Sequence, residues 1–511
     1  MTIDRGWICC FKGLRPTAFS TDPPASVAVV FIDGQLKLQC PEGINDFHEF
    51  FVALYKRMLD RYLAMEGVKT IILGFDDSTI SPAAKAATQA KRRSKSEKLE
   101  WSTLQPLPSM IPANYSILLM NRAFKTRVVQ YIIQQVGLFC KVRPDQRIII
   151  DYMGAPYTAV GYGSGRLNTA FGPNGAPTEA DHFEITKELA ECDNKWTNYI
   201  GLGDMILDAV DSDYVIIALA TMERLGKNAP RIFVKRLLLE PGNAALKVAA
   251  EAAGFEIKKK VPANKKPKID IFTAAADCSG NKENVDPSTA PVVKKPRTYE
   301  YADCGMIGES MTAMLQKYTP DALKPQIIRI LAHLIALCGC DFTRGVPYLS
   351  GNAALKNADI LWPGLCAAAS VDASTGVISM DSRLVAEGVV GVLWKEVQFK
   401  KLCGSSAMRN ADFETLYKEL STNHSISQFR RDRLITPMDL HCLVRSSNWC
   451  TWYWSDSLTT PCSLTGGDYG FTRSRVGGPV EFDDKIPLPP KLANAAAGTT
   501  MQPPLTWLSP S

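Results

Sequence analysis

VAVVFID (27–33) and TIILGFD (70–76) decide the fold. Each is a short run of β-branched and large apolar residues that ends on an aspartate, the composition of a strand buried on both faces. Between them Phe47, Phe50, Phe51, Leu54, Met58 and Tyr62 recur at three- and four-residue steps, which predicts a helix over about 46–66. Asn45 or Asp46 is placed to cap its start, and Gly67 to end it. Strand, helix and strand in this order make a βαβ unit and a parallel sheet. Asp33 and Asp76 then stand at the carboxyl ends of the two strands, the edge at which such sheets bind ligands.

Further along, QRIIIDYMG (146–154) predicts a third strand returning to the sheet. Residues 77–144 read as a largely helical insertion that carries the basic run KRRSK (91–95). After a Gly-rich loop at 161–175, Thr178-Glu-Ala-Asp181 has the form of a capping box opening a helix over 179–192. Residues 205–219 form another buried apolar segment, in which the spacing leaves the boundary between strand and helix open. Lys, Pro, Asn and Ser dominate from about 257 to 298, the composition of a disordered linker; its basic clusters read as a solvated tether or a nuclear-import signal. An apolar helix is expected at 325–338, a helical region after 356 with the aromatic run WCTWYW (449–454), and a Pro/Ala-rich tail from about 491.

The acids form a pattern of their own. Asp33, Asp76, Glu179 with Asp181, Asp211 with Asp213, and Asp341 lie in five motifs, most of which end or follow an apolar run, as in MILDAVDSD (205–213) and IALCGCD (335–341). Buried together without cations they would each cost several kcal/mol, roughly the penalty of an unpaired buried charge. A divalent-metal cluster resolves this, and oxygen-only donors without His or Cys suit Mg²⁺, with Mn²⁺ as a substitute. Asp211 and Asp213, two apart on an extended segment, would project to one side and share a metal. Two ions roughly 4 Å apart activate water and stabilise the leaving oxygen of a phosphodiester.

Cations are placed to complement this chemistry. Lys85 and Arg92 are seven apart, so a helix sets them on one face two turns apart, able to hold a phosphate. Their neighbours Lys91 and Arg93 extend the basic surface. In LCGCDFTRGVPYLSGNAALK (337–356), Arg344, Gly345, Val346, Gly351 and Asn352 surround a tight turn into a new helix. Glycines let backbone approach a phosphate, and a helix N-terminus offers N–H donors, which suits a hairpin gripping duplex backbone without reading sequence.

The bulk composition is compatible with this reading. With 511 residues the chain is long enough for two or three domains; 46% hydrophobic and 22% charged residues are ordinary for a soluble protein. A net charge of +6 permits a polyanionic partner without requiring one. No apolar stretch approaches the ~20 residues that cross a bilayer, and the first residues lack the design of a secretory signal. The fourteen cysteines show no CxxC and the five histidines no i,i+4 pair, so reduced, mostly buried thiols are expected, in a nuclear or cytoplasmic protein.

The ordered set of motifs resembles the flap endonuclease/XPG-type structure-specific 5′ nucleases of the PIN-like fold. FID (31–33) and GFDD (74–77) resemble that family's first two metal-binding strand ends, TEAD (178–181) its E-A-E pair with Asp in the second slot, and VDSD (210–213) its D-x-D. LCGCDFTRGVPYLSG is similar to its G-x-D-Y motif running into a helix–two-turn–helix. Lys85 and Arg92 fall at the spacing of its phosphate-gripping pair, offset slightly from the preceding Asp.

The resemblance covers about 25–356. It implies a Rossmann-like parallel sheet flanked by helices, an arch at about 77–144, and a nuclease core over 1–256, resumed at 299–356 after the linker. The helical 357–490 and the tail 491–511 lie beyond it. It implies a Mg²⁺-dependent 5′ nuclease that hydrolyses phosphodiester bonds in branched or single-strand-ended DNA, with 5′→3′ exoribonucleases on the same fold making RNA the alternative substrate; a monomer is expected. A non-catalytic nucleic-acid-binding scaffold is the other alternative. The chain departs from the family in starting Met-Thr-Ile-Asp with a longer leader. QPPLTWL (502–508) has a distant likeness to a sliding-clamp peptide, with one aromatic residue in place of two.

Overall fold

The computed structural model describes residues 5–34, 36–39, 43–75, 106–119, 121–152, 156–162, 165–166, 195–209, 213–237, 299–340, 345–346, 349–386, 388–389 and 436–455, with the short pieces 415, 417–418, 422, 471–473 and 480–482. The expected basic linker, the run 76–105 and the tail lie outside these residues.

Nine strands form one mixed sheet: β1 (Phe19–Ser20), β2 (Val29–Asp33), β3 (Thr70–Gly74), β4 (Arg147–Asp151), β5 (Tyr157–Gly161), β6 (Gly165–Arg166), β7 (Met205–Asp208), β8 (Ile232–Leu237) and β9 (Tyr299–Asp303). Their spatial order is β1-β9-β8-β7-β2-β3-β4-β5-β6. The centre, β8-β7-β2-β3-β4, is parallel throughout, and antiparallel strands close both sides. This is an α/β architecture with a mostly parallel mixed sheet, compatible with a Rossmann-like fold. Strand β2 has its chain successor β3 on one side and β7 on the other, so the strand order reverses between β2 and β7.

Side-chain alternation distributes the strands between two cores. Val29 and Phe31 enter one with Ile72, Ile149, Met205 and Leu207; Val30 and Ile32 enter the other with Ile71, Leu73, Ile148, Ile150 and Ile206. Helices Arg5–Leu14, Asp213–Leu225, Cys304–Leu315, Ile327–Cys338, Ala358–Ala368 and Pro437–Ser455 cover the first face. The 47–63 segment and helix Arg122–Phe139 cover the second.

The βαβ unit forms as its sequence dictates. Asp46 caps the helix by accepting from Glu49 N, and Gly67 ends the connection at φ +85°. The helix is not regular: Phe51–Lys56 winds as a π-helical segment between Phe47–Phe50 and Arg57–Leu63.

Within the expected 77–144 insertion, helix Arg122–Phe139 belongs to the crossover from β3 to β4 and buries Phe124, Val128, Ile132 and Val136 against the sheet. The region beyond 356 likewise joins the first core. It brings in Trp362, Leu443, Trp452 and Trp454, and it contains a small hairpin, Ala369–Val371 with Ile378–Met380. Seven of the nine described cysteines are buried, and none is in a disulfide. Among the described residues no helix is long and apolar enough to cross a membrane.

Candidate functional site

The parallel register brings three strand ends to one level. Asp33 pairs with Gly74, and Gly74 with Asp151, while Ile32 pairs with Asp208 one step back on β7. Glycine permits this closure on both sides. A Cβ on Gly34 would meet the Phe75 ring at 2.5 Å, and one on Gly74 would meet the Phe31 ring at 2.5 Å. Gly34 N donates to Gly74 O at 2.8 Å, and Tyr55, set by the π-helical turn, donates its hydroxyl to Gly34 O at 3.0 Å. The peptide after Asp33 is thereby fixed from two directions.

Asp33 lies on the face of the first core and is 7% exposed. Its Oδ2 accepts from the Tyr214 hydroxyl at 3.2 Å. Tyr214 is in the first turn of helix Asp213–Leu225, which presses this helix start against the end of β2. Asp213, 2% exposed, opens that helix. The extended segment expected at 211–213 is therefore corrected at Asp213. A strand ends at Asp208 and a helix begins at Asp213, both on apolar residues, which is why one hydrophobic run concealed the boundary.

Two further buried carboxylates on this edge were missed, although both end apolar strands. Asp151 accepts from Lys195 Nζ at 3.2 Å and from the Tyr199 hydroxyl at 2.7 Å, and Lys195 Nζ also donates to Phe75 O at 2.7 Å. Burial, reinforced by the Asp151 charge, pushes the Tyr199 hydroxyl well above its ordinary range. Asp208 accepts from Lys37 Nζ and Lys235 Nζ at 3.0 Å each and from the Tyr62 hydroxyl at 2.7 Å. Burial works to raise the Asp208 carboxyl, but Lys37, Lys235 and the Tyr62 hydroxyl outweigh it and hold the group below its ordinary value. The signal available in the sequence was the strand-ending aspartate itself; the lysines that answer it are 27 to 171 residues away.

Of the seven expected metal ligands, Asp33 and Asp213 are thus described, and both stand at the carboxyl edge beside the β2–β7 reversal. Asp76, Glu179, Asp181, Asp211 and Asp341 lie outside the described residues, as do Lys85, Lys91, Arg92, Arg93 and Arg344. Among the described residues no group of three or more His, Cys, Asp or Glu side chains is arranged to hold a metal.

The described residues of the turn at 345–352 make contacts within the protein. Val346 is buried and its N–H donates to Leu337 O at 2.8 Å. A Cβ on Gly345 would lie 2.3 Å from Cys338 O, so this glycine lets two protein backbones meet. Gly351 is buried with the Trp7 indole 2.9 Å from where its Cβ would be, and the Asn352 side chain accepts from Cys10 Sγ. These residues close the turn onto helices 5–14 and 327–338. Close approach to the protein's own backbone and to Trp7 requires glycine at both positions.

The edge offers hard oxygen donors at Asp33 and Asp213, which fit Mg²⁺ in chemical type. In comparisons with known proteins no family model matches the chain, and no characterised protein is significantly similar to it.

Proposed function

We propose that the protein is a Mg²⁺-dependent 5′ nuclease that hydrolyses phosphodiester bonds in branched or single-strand-ended DNA. One observation carries the reading. Asp33 ends the central strand of the parallel sheet, where the strand order reverses, and the helix opened by Asp213 is bonded to it through Tyr214. Carboxyl edges at such reversals are where open α/β sheets bind ligands.

In this reading Asp33 and Asp213 hold Mg²⁺ together with Asp76, Glu179, Asp181, Asp211 and Asp341. The bound ions supply positive charge that polarises the phosphodiester and makes water a nucleophile at neutral pH. Tyr214 orients the Asp33 carboxylate, and the bonds on Gly34 hold the strand end rigid. Lys85 and Arg92 grip the phosphate and stabilise charge developing on it.

The test is the full chain with end-labelled flap, nicked and single-stranded DNA, and with RNA, in Mg²⁺ and in chelator. Mg²⁺-dependent cleavage of DNA is expected, with Asp33→Ala and Asp213→Ala each lowering turnover by roughly 100-fold or more, above the loss typical of residues that only support metal ligands. Both variants should also bind Mn²⁺ more weakly in a spin-resonance titration. Cleavage of RNA alone would replace the DNA substrate, and unchanged turnover in either variant would remove the metal mechanism.

A further inference from the structure

On the sheet face opposite Asp33, the described residues at the ends of β7 and β8 set two ammonium groups on one carboxylate. Asp208, 1% exposed, is shared by two ammonium groups, Lys37 on Oδ1 and Lys235 on Oδ2. Arg61 is a third cation close enough to act on Lys235, Tyr62 and Tyr301. No second carboxylate among the described residues pairs with these cations. The Lys235 ammonium also lies 5.0 Å from the Tyr62 ring centre and 5.1 Å from that of Tyr299.

One lysine would suffice to neutralise Asp208. A second buried ammonium costs desolvation and repels the first. Burial above all, with Lys37 and Arg61 adding to it, draws Lys235 below its ordinary range in spite of Asp208. Among the described residues, the second ammonium and the exposed Arg61 leave positive charge that an arriving anion would offset. Lys37, with 16% of its side chain exposed, and Arg61, which is exposed, are the members open to solvent, and Lys37 stands four residues beyond Asp33 on the segment that follows β2 and reaches Asp208 on β7.

We infer that Lys37, backed by Lys235 and Arg61, forms a phosphate-binding site for a nucleic-acid strand at the carboxyl edge of the sheet. The phosphate site stands on the placement of Lys37, Lys235 and Arg61 around Asp208, and only its assignment to nucleic acid rests on the nuclease reading. The Lys37 ammonium donates to a phosphate oxygen while Lys235 keeps the Asp208 carboxylate neutralised. No covalent step is involved.

Calorimetric titration of the full chain in chelator, first with inorganic phosphate and then with a 5′-phosphorylated single-stranded oligonucleotide, tests this. Saturable binding of both is expected, with Lys37→Gln weakening each about tenfold, the loss of one hydrogen bond to a charged group. Lys37→Arg should restore affinity, and the slope of oligonucleotide affinity against salt should fall by about one in Lys37→Gln. Circular dichroism confirms that the glutamine variant folds, since Asp208 retains Lys235 and Tyr62. Absence of phosphate binding by the wild-type chain, or equal affinity in Lys37→Gln, overturns the site. Loss of phosphate with unchanged oligonucleotide affinity overturns the nucleic-acid strand as its ligand. Affinities that fall as expected in a chain that cleaves nothing in Mg²⁺ would uphold the site and refute the nuclease.

Discussion

Lys195, 2% exposed, reaches the Phe75 carbonyl at 2.7 Å and Asp151 Oδ1 at 3.2 Å, while Tyr199 holds the other carboxylate oxygen at 2.7 Å. One ammonium thus ties the last described residue before Asp76 to the end of β4. A buried ion pair contributes little against an apolar replacement of the whole pair, but removing one member leaves a charge with nothing to answer it. Lys195→Met should therefore destabilise the protein by about 3 kcal/mol or more, and the double variant Lys195→Met/Asp151→Asn should recover most of that loss. Urea unfolding of both variants decides the point. A single-variant loss below about 1 kcal/mol, the range of exposed pairs, would show that the bond is not buried in solution. The same logic explains why Asp151 and Asp208 escaped notice among the acids. A strand-ending aspartate is visible in RIIID and MILD, but whether a metal or a lysine neutralises it depends on residues far away in the chain.

At the scale of elements, helix Asp213–Leu225 is the joint of the first face. Its start bonds Asp33, and near its other end Glu223 accepts from Ile328 N at 2.7 Å and Arg329 N at 2.8 Å, capping helix Ile327–Cys338. Burial lifts the Glu223 carboxyl from 4.5 to about 7, against the lowering pull of the two N–H donors and the Arg329 guanidinium. A carboxyl whose folded value exceeds its unfolded one stabilises the fold in its protonated form. That contribution is complete below 4.5 and is lost as pH rises through about 7. Between about pH 5 and pH 8 the wild-type chain should lose up to about 3 kcal/mol more than Glu223→Gln, whose side chain does not titrate. Urea midpoints of the two proteins at both pH values measure the difference, and parallel pH dependences would show that Glu223 ionises normally. Helices 213–225 and 327–338 were legible as apolar runs, but this joint was not, because it couples side chain to backbone across 105 residues.

Over the whole molecule, the sheet was legible because parallel strands buried on both faces leave unbroken apolar runs, and the βαβ unit because its cap and glycine stop are local. What escaped was set by contacts between distant segments. Gly351 meets Trp7, and Asn352 meets Cys10 across 342 residues, contacts with the amino-terminal helix that no local pattern announces. The charge of the molecule is distributed with similar separation. Residues 257–298 contain ten Lys and Arg against four Asp and Glu, an excess equal to the +6 of the entire chain. Structurally, the chain leaves β8 at Leu237 and returns on β9 at Tyr299, and these two residues are ladder partners. A pair so placed can be joined by a two-residue hairpin turn. Replacing 238–298 with Asn-Gly should therefore leave the fold intact, with an unchanged circular dichroism spectrum and a melting temperature within about 4 °C of the parent, the shift of roughly 1 kcal/mol in a chain of this size. The same variant should bind single-stranded DNA more weakly and with a shallower salt dependence, since counterion release follows the number of cations that meet phosphate. Loss of cooperative melting would mean that 238–298 contributes to the core. Unchanged salt dependence would mean that the cations that meet nucleic acid lie on the folded sheet edge, Lys37 among them, and not in the basic run.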